Sequence, residues 1–326
     1  MNQRKLDLYY ILMDNINNLY LKKGLKAEAD LHVHTTFSDG AFDILDIITL
    51  GKMIGLKKII ITDHNTILPA YQYLETMKWF IPEGMSIEVG SEIACKIIDN
   101  QTGKYVPIEI LAYYADPYML QSFIDRYSFS KGNSQEEQLK ELMDMCKKYG
   151  LTFSKDLYVP NGKFATEILC LELIKHEENK EFFMKTHPIV WTSPKLFYKK
   201  FCANPNSEFY LDTTSGLPGY VDTINAILEA GGIPILAHAF LYIYETQEEV
   251  KVLLDKLVAT SNIAGFEAYH SAHTYAQREF IAEYAKEKKK MISGGTDFHM
   301  GPQTTLGFGK KDMPLELTLD MFSWLN

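Results

Sequence analysis

The sequence predicts an α/β fold in which seven short parallel strands close into a barrel. Two observations support this prediction. Seven hydrophobic runs of strand length recur along the chain, and helical stretches lie between most of them. The runs are rich in Ile and Val and are bounded by Gly, Thr or Pro, which is typical of buried parallel strands. They span residues 30–34, 58–62, 87–91, 106–111, 232–237, 265–269 and 291–296.

Apolar residues at helical spacing predict the helices between these runs. The predicted helices span residues 41–56, 71–80, 223–230, 248–259 and 274–289. An apolar patch predicts one more helix over 6–22, and the long interval after the fourth run predicts a helical insertion with helices at 134–149 and 167–176. We therefore expect an N-terminal helix in 1–29, a first barrel part in 30–116, a helical insertion that caps the substrate in 117–215, and a second barrel part in 216–326.

Length, charge and cysteine content limit the class of protein. The 326 residues suit one barrel of roughly 200 to 250 residues with an insertion. A net charge of −9 argues against an extended nucleic-acid surface, although bound cations would still permit a small phosphorylated substrate. No run approaches the roughly 20 apolar residues of a membrane span. The four cysteines form no CxxC pair, which favours a reducing cytoplasm over a disulfide framework. The oligomeric state stays open.

Acidic residues and histidines stand at or near the ends of the predicted strands. Six of the nine histidines occupy such positions, where barrel enzymes keep their chemistry. His32 and His34 are two residues apart in one strand, so their side chains point to the same face. Asp297 and His299 repeat this spacing near the other end of the chain. A multinuclear metal site is the interpretation, with further candidate ligands at Asp39, His64, Glu92, Glu109 and His238.

Other polar residues near these ends have weaker signals. Asp63 could orient His64 as a partner outside the ligand set. His270 and His273 follow the sixth run, so either could contact phosphate or deliver a proton, and a structural hydrogen bond is an equal alternative for His273. The alternatives for Asp39 and Glu92 are a plain turn residue and an exposed carboxylate. His176 and His187 are expected to be ordinary surface residues.

Taken together, the motifs DLHVHTTFSDG, ITDHNT, GSEI, LAH and GTDFH resemble those of the PHP family, named for polymerase and histidinol phosphatase. The resemblance covers about residues 30–115 and 220–300, and the chain looks most like the family's stand-alone metal-dependent phosphoesterases. It implies a distorted seven-stranded (β/α)7 TIM-like barrel and a trinuclear site for two or three divalent ions. The implied ligands are His32, His34, Glu92 and Asp297 for the first ion, Glu92 and His238 for the second, and Asp39, His64 and His299 for the third. Imidazole and carboxylate ligands without thiolate suit zinc, manganese or iron.

Two positions depart from the family pattern. Glu109 stands where the family's strand offers a histidine; a glutamate can ligate too, but its charge would favour a harder ion. Relatives that hydrolyse nucleotides carry an Arg-Pro-His run early in the insertion, whereas this chain has Gly162-Lys163-Phe164-Ala165-Thr166. Lys163 is therefore the candidate phosphate contact in that segment, as a point charge without the bidentate grip of arginine.

The predicted function is metal-dependent hydrolysis of a small phosphomonoester or phosphodiester. A hydroxide that bridges two metals would attack phosphorus, and His270 or a metal-bound water would protonate the leaving group. One alternative is amide or lactam hydrolysis by the same kind of metal site. Another is a degenerate, non-catalytic metal-binding domain, in which Glu109 and Lys163 mark lost activity.

Overall fold

A computed structural model describes residues 24–325 apart from 128–134, 161–162, 187–192, 245 and 300–303, together with Tyr10, Met13, Asp14, Ile16 and Lys22. The helix predicted over 6–22 lies almost entirely outside these residues, as does His187. The described part contains ten α-helices and ten strands. None of those helices is long and apolar enough to cross a membrane.

Eight of the strands form two sheets. The first sheet holds β1 (Ala29–Val33), β2 (Lys58–Ile61) and β3 (Ser86–Val89), and its neighbours run parallel. The second sheet has the order β4 (Ser91–Ile98), β5 (Tyr105–Tyr113), β6 (Ile233–Leu236), β7 (Gly265–His270) and β8 (Met291–Gly295). In it β5 and β6 are antiparallel, whereas β6, β7 and β8 are parallel. A short antiparallel pair, β9 (Gly309–Lys310) and β10 (Met313–Pro314), completes the strands.

The predicted seven-stranded barrel is wrong. The described strands form sheets of three, five and two strands, and none of these sheets is closed. The run at 87–91 predicts one strand, but the chain changes sheets at Gly90, between β3 and β4. A Cβ at Gly90 would lie 2.2 Å from the carbonyl oxygen of Ala112, so only glycine lets the backbone pass there. The strand-like runs locate most strands of the two large sheets, but they do not predict the number of strands, their pairing or whether a sheet closes.

Single bridges join the two large sheets at their margins. Val33 bridges to Phe298, beyond the end of β8, and His64 bridges to Glu92, at the start of β4. Both bridges involve residues beside the predicted metal ligands or the ligands themselves. The edges of the two sheets therefore meet where the candidate site lies.

The helices begin at the capping signals of the sequence. Capping boxes start α1 (Ile44–Ile54) at Asp43, α9 (Gln247–Thr260) at Thr246 and α10 (Tyr275–Glu287) at Thr274. Gly55 ends α1 in the left-handed conformation. The remaining helices are α2 (Leu68–Met77), α3 (Pro117–Ile124), α4 (Gln135–Lys148), α5 (Ala165–Leu173), α6 (Lys180–Thr186), α7 (Pro194–Phe197) and α8 (Tyr220–Glu229).

The chain divides into two compact units. The first comprises Met1–Ala94, Ile108–Arg126 and Tyr220–Asn326, and its core includes Leu31, Ile60, Leu111, Ile235 and Phe322. The second comprises Cys95–Pro107 and Tyr127–Gly219, and its core is rich in aromatic side chains from α6, α7 and the segment after α7. The domain boundaries expected from the sequence stay a prediction.

Candidate metal centre

The candidate ligands lie in strands of the first unit or in the segments that follow those strands. His32 lies in β1 and His34 directly after it; Glu92 lies near the start of β4 and Glu109 inside β5. The remaining ligands follow the ends of strands, as His64 does after β2, His238 after β6, and Asp297 and His299 after β8. The apolar residues of these strands are buried, so the packed core holds the backbone that carries each ligand.

One group consists of His32, His34, Glu92 and Asp297, whose ligand atoms all lie within 4.8 Å of one another. The Nε2 atoms of His32 and His34 are each 3.2 Å from Glu92 Oε2. Asp297 Oδ1 lies 3.5 Å from His32 Nε2 and 3.3 Å from His34 Nε2. Ligand atoms about 2.0 to 2.2 Å from a shared ion are separated by about 3.0 to 3.5 Å, so these spacings fit one cation.

A second group consists of His34, Asp39, His64 and His299. His299 Nε2 lies 3.2 Å from Asp39 Oδ1, and His64 Nε2 lies 3.9 Å from Asp39 Oδ2. The rings of His34 and His299 stack with centroids 3.9 Å apart, and His34 Nδ1 is 3.8 Å from Asp39 Oδ1. His34 therefore turns one ring nitrogen to each of the two groups.

The third group contains two carboxylates, Glu92 and Glu109, and two imidazoles, His64 and His238. Glu92 lies 2.8 Å from His238 Nε2 through Oε1 and 3.3 Å from His64 Nδ1 through Oε2. Glu109 reaches the same two nitrogens at 3.5 Å and 3.8 Å. His64, Glu92 and Glu109 together meet the spacing of a metal group. Glu109 thus lies beside Glu92, in the place where the resemblance puts a second ion.

The charges of this cluster depend on one another. Burial would raise the pKa of Glu92, but His32, His238 and His64 hold that pKa well below its ordinary value. Burial and the neighbouring charge of Glu92 raise the pKa of Glu109 to about 7. Burial works against protonation of His238, yet Glu92 and Glu109 raise its pKa to about 9. Without a cation, protons on the imidazoles balance the buried carboxylates.

The residues present fit bound divalent ions. Buried polar atoms are nearly always hydrogen-bonded, yet within the described residues His34 Nδ1 and Asp297 Oδ1 are buried and have no hydrogen-bond partner. Both atoms face the groups just described. Carboxylates and imidazoles whose lone pairs converge form a donor set that suits divalent metal ions.

Glu267 is a further residue of the site, and the strand pattern of the sequence does not predict a role for it. It is 1% exposed in the middle of β7. Its Oε1 lies 2.9 Å from His32 Nδ1, and its Oε2 accepts a hydrogen bond from the backbone N–H of His238 at 2.9 Å. The signal for it was a carboxylate inside an otherwise apolar run, Gly265-Phe266-Glu267-Ala268-Tyr269.

His270 and His273 are both buried beside this cluster. His270 Nδ1 accepts a hydrogen bond from the N–H of Ala272, so the proton of the neutral ring is on Nε2, which lies 3.4 Å from Asp297 Oδ2. His273 donates from Nδ1 to the carbonyl of Ala268. Burial and the nearby His270 lower the pKa of His273 to about 3, so this ring is neutral at physiological pH.

The two other candidate residues have different surroundings. The Asp63 carboxylate accepts hydrogen bonds from the N–H and hydroxyl of Thr35 and from the hydroxyl of Ser38. It thereby holds the loop that carries Asp39. Lys163 belongs to the second unit, where its exposed side chain pairs with Glu167 at 2.8 Å. The roles predicted for both residues stay predictions.

Comparisons with known proteins agree with this site. Residues 30–186 match the model of the PHP domain family. A 5′-3′ exoribonuclease of Haemophilus influenzae is 23% identical over 272 residues, covering 83% of this chain and 89% of that protein. A phosphoribosyl 1,2-cyclic phosphate 1,2-diphosphodiesterase of Eggerthella lenta is 22% identical over 274 residues, covering 83% and 93%.

Two solved structures share the fold at low identity. One is a protein of Bifidobacterium adolescentis, provisionally named a metal-dependent phosphoesterase, with a TM-score of 0.53, 19% identity, and coverage of 91% of this chain and 95% of that one. The other is an amidohydrolase of Chromobacterium violaceum with bound sulfate, with a TM-score of 0.55, 18% identity, and coverage of 90% and 93%. The family match, together with the ligand groups at its motifs, leads to one conclusion: residues 30–186 of this chain are similar to the PHP domain family.

Proposed function

We propose that this chain is a metal-dependent phosphoesterase that hydrolyses a small phosphorylated substrate at the centre described above. The observation that supports this most strongly is the convergence of four carboxylates and five imidazoles from six strands or the segments that follow them. These are Asp39, Glu92, Glu109, Asp297, His32, His34, His64, His238 and His299. Among them, His32, His34, Glu92 and His238 are buried. Burying so many ionisable groups is costly for a fold, and bound cations offset that cost.

The distances suggest which residues would hold which ion. His32, His34, Glu92 and Asp297 would hold a first ion, and Glu92, Glu109 and His238 a second. Asp39, His64 and His299 would hold a third, with His34 Nδ1 at its edge. When bound, divalent ions of this kind polarise phosphoryl oxygens and lower the pKa of coordinated water.

The protein's own residues would position the substrate and handle protons. His270 can offer Nε2–H as a hydrogen-bond donor beside Asp297, because Ala272 fixes its tautomer. Burial lowers the pKa of His270, so the ring is neutral near pH 7 and suits hydrogen bonding to a phosphoryl oxygen better than proton delivery. His273 donates a hydrogen bond from Nδ1 to the carbonyl of Ala268, two residues before His270 in the chain. Lys163 stays a candidate phosphate contact.

The names of the relatives guide the choice of substrates. One relative is named an exoribonuclease and the other a cyclic phosphate diphosphodiesterase, so phosphodiesters are the first class to test. The net charge of −9 favours short or cyclic substrates over extended nucleic acid. The four cysteines are buried and form no disulfide in the described structure, which suits the expected reducing cytoplasm.

The test begins with protein stripped of metal and reloaded with manganese, zinc or iron(II). It is assayed on phosphomonoesters, acyclic and cyclic phosphodiesters, short ribonucleotides and a set of lactams. We expect metal-dependent turnover of at least one phosphate ester. Turnover of lactams alone would replace the proposal with amide hydrolysis, and tight metal binding without any turnover would favour a non-catalytic domain.

A further inference from the structure

We infer that Glu267 is a positioning residue that orients His32 and His238, which are ligands of the proposed first and second metal ions. This inference rests on the proposed metal centre. Within the described residues, Glu267 makes no hydrogen bond to the unpartnered atoms His34 Nδ1 and Asp297 Oδ1. Both of its carboxylate oxygens are instead committed to residues that carry ligands, His32 and His238.

The first contact fixes the tautomer of His32. A carboxylate oxygen can only accept, so the proton between Glu267 Oε1 and His32 Nδ1 lies on the ring nitrogen. The lone pair of a neutral His32 is then on Nε2, the atom that faces Glu92 and Asp297. An imidazole whose far nitrogen donates to a carboxylate is also a more basic ligand.

The second contact holds the backbone at His238. Oε2 of Glu267 accepts the N–H of His238, which is the first residue past Ala237 at the end of β6. This hydrogen bond fixes the backbone from which the His238 side chain projects. The Nε2 atom of that side chain lies 2.8 Å from Glu92 Oε1. One side chain in β7 therefore orients ligands from β1 and β6. Both ligands contact the same carboxylate, Glu92.

Burial makes the two hydrogen bonds of Glu267 difficult to replace. Glu267 is 1% exposed and His32 is fully buried, so water cannot replace a lost partner. The competing interpretation is that Glu267 ligates a cation itself, because His32, Glu267 and His270 also meet the spacing of a metal group. In that group, however, Oε1 faces the Nδ1–H of His32 and Nδ1 of His270 accepts from Ala272. This geometry favours positioning over ligation.

The principal variant is Glu267→Gln, which keeps the shape of the side chain. Its amide retains one acceptor, so either His32 Nδ1–H or the His238 N–H must face an NH2 group. We expect manganese affinity at the two positions that share Glu92 to fall about 10- to 100-fold. The position formed by Asp39, His64 and His299 should change little. Calorimetric titration of the metal-stripped protein with manganese measures these affinities without using catalysis.

Glu172→Gln is the matched control. Glu172 is also a buried glutamate that meets a histidine and a backbone N–H, through His176 Nε2 at 3.2 Å and Ser154 N at 2.9 Å, but it belongs to the second unit. This variant should bind manganese as the parent protein does. Equal affinities in Glu267→Gln and the parent would overturn the inference. Loss of one whole equivalent of metal, with the other affinities kept, would instead identify Glu267 as a ligand.

A second measurement uses the unaltered protein, so its result does not depend on whether Glu267→Gln folds. In zinc-loaded protein labelled with ¹⁵N at histidine, long-range nitrogen–proton spectra report the tautomer of each ring, and a His32→Asn variant assigns the His32 signals. We expect His32 to carry its proton on Nδ1. A proton on Nε2 would refute the inference whatever the outcome on phosphate esters. Absence of turnover with the Nδ1 tautomer present would count only against the proposed reaction.

Discussion

The Nε2 atoms of His32 and His34 lie 3.1 Å apart in the buried centre of the site. Two lone pairs cannot face each other at this distance without a cation or a proton between them. Burial works against protonation of His34, but Asp297 and Glu92 raise its pKa to about 9. In the metal-free protein a proton therefore takes the place that a metal ion would hold.

This relationship predicts that metal affinity depends on pH. The folded pKa of His34 is raised, so the ring is protonated at pH 7, and a metal ion must displace that proton. Manganese affinity should rise as pH rises from 6 toward 9 and then level off. Calorimetry in buffers with different ionisation enthalpies would measure the protons released. Equal affinity at pH 6 and pH 9 would contradict this account.

Asp297 is expected to be essential to turnover but not to folding. Its backbone is left-handed, with φ of 54°, a conformation that Asn also tolerates. Asp297→Ala removes the carboxylate, and Asp297→Asn removes its charge while keeping the backbone preference. Both should lower kcat/KM by roughly 100-fold or more, with a circular dichroism spectrum like the parent's. The exposed Asp312→Asn serves as the control, and an undiminished rate in either Asp297 variant would remove this residue from the ligand set.

Glu109 tests the character of the second metal position. Glu109→His should bind the second ion more tightly and favour zinc, because it replaces a hard oxygen donor with imidazole and removes a charge beside Glu92. Glu109→Gln, which removes the charge without adding a nitrogen donor, should weaken manganese binding there. Elemental analysis of both variants after dialysis against each metal provides the measurement. Unchanged stoichiometry and metal preference in both would show that Glu109 is not a ligand.

Gly295 links the packing of β8 to the position of His32. A Cβ at residue 295 would lie 2.3 Å from His32 Cβ and 2.4 Å from His32 N. Gly295→Ala must therefore displace β1, at a cost of about 1 to 3 kcal/mol in unfolding free energy, and should also weaken metal binding. Gly103→Ala is a suitable control, because nothing lies within 4 Å of its added Cβ and only its positive φ is strained. Parent-like metal affinity in Gly295→Ala would contradict the expected shift of His32.

The second unit should lose stability in acid through Glu172. The hydrogen bond from Lys175 lowers the pKa of this buried glutamate to about 2, against the opposing effect of burial. A depressed folded pKa means that the ionised group stabilises the fold above pH 4.5 and that this contribution is lost as pH falls toward 2. Denaturant unfolding of the parent and Glu172→Gln should differ at pH 7 and converge near pH 2. A difference that does not depend on pH would point to packing rather than charge.

Much of the site could be predicted because strand geometry is local. His32 and His34 point to one face because side chains alternate along β1, and the strand ends at 61, 236 and 295 gave the places of His64, His238 and Asp297. The sheet pairing could not be predicted in the same way. The change of sheet at Gly90 depends on the close approach of Ala112, more than 20 residues further along the chain.

Glu267 shows the other limit of the sequence pattern. Strand signals place its side chain in a buried run but cannot state whether a carboxylate there faces a ligand, a cation or a backbone N–H. The answer depends on β1 and β6, which meet β7 only in the folded protein. Residues that orient ligands are therefore harder to find from sequence than the ligands themselves.

The pairing of Asp30 with Thr296 spans 266 positions of the chain, and it sits beside ligands that come from both of these segments. A ribosome making this protein releases His32 and His34 long before it adds Asp297. The nascent chain consequently lacks a complete set of the proposed ligands for the first ion until Asp297 has been translated. Binding of the proposed first ion would therefore have to follow the synthesis of Asp297, and a chain truncated before this residue would lack one of the four proposed ligands.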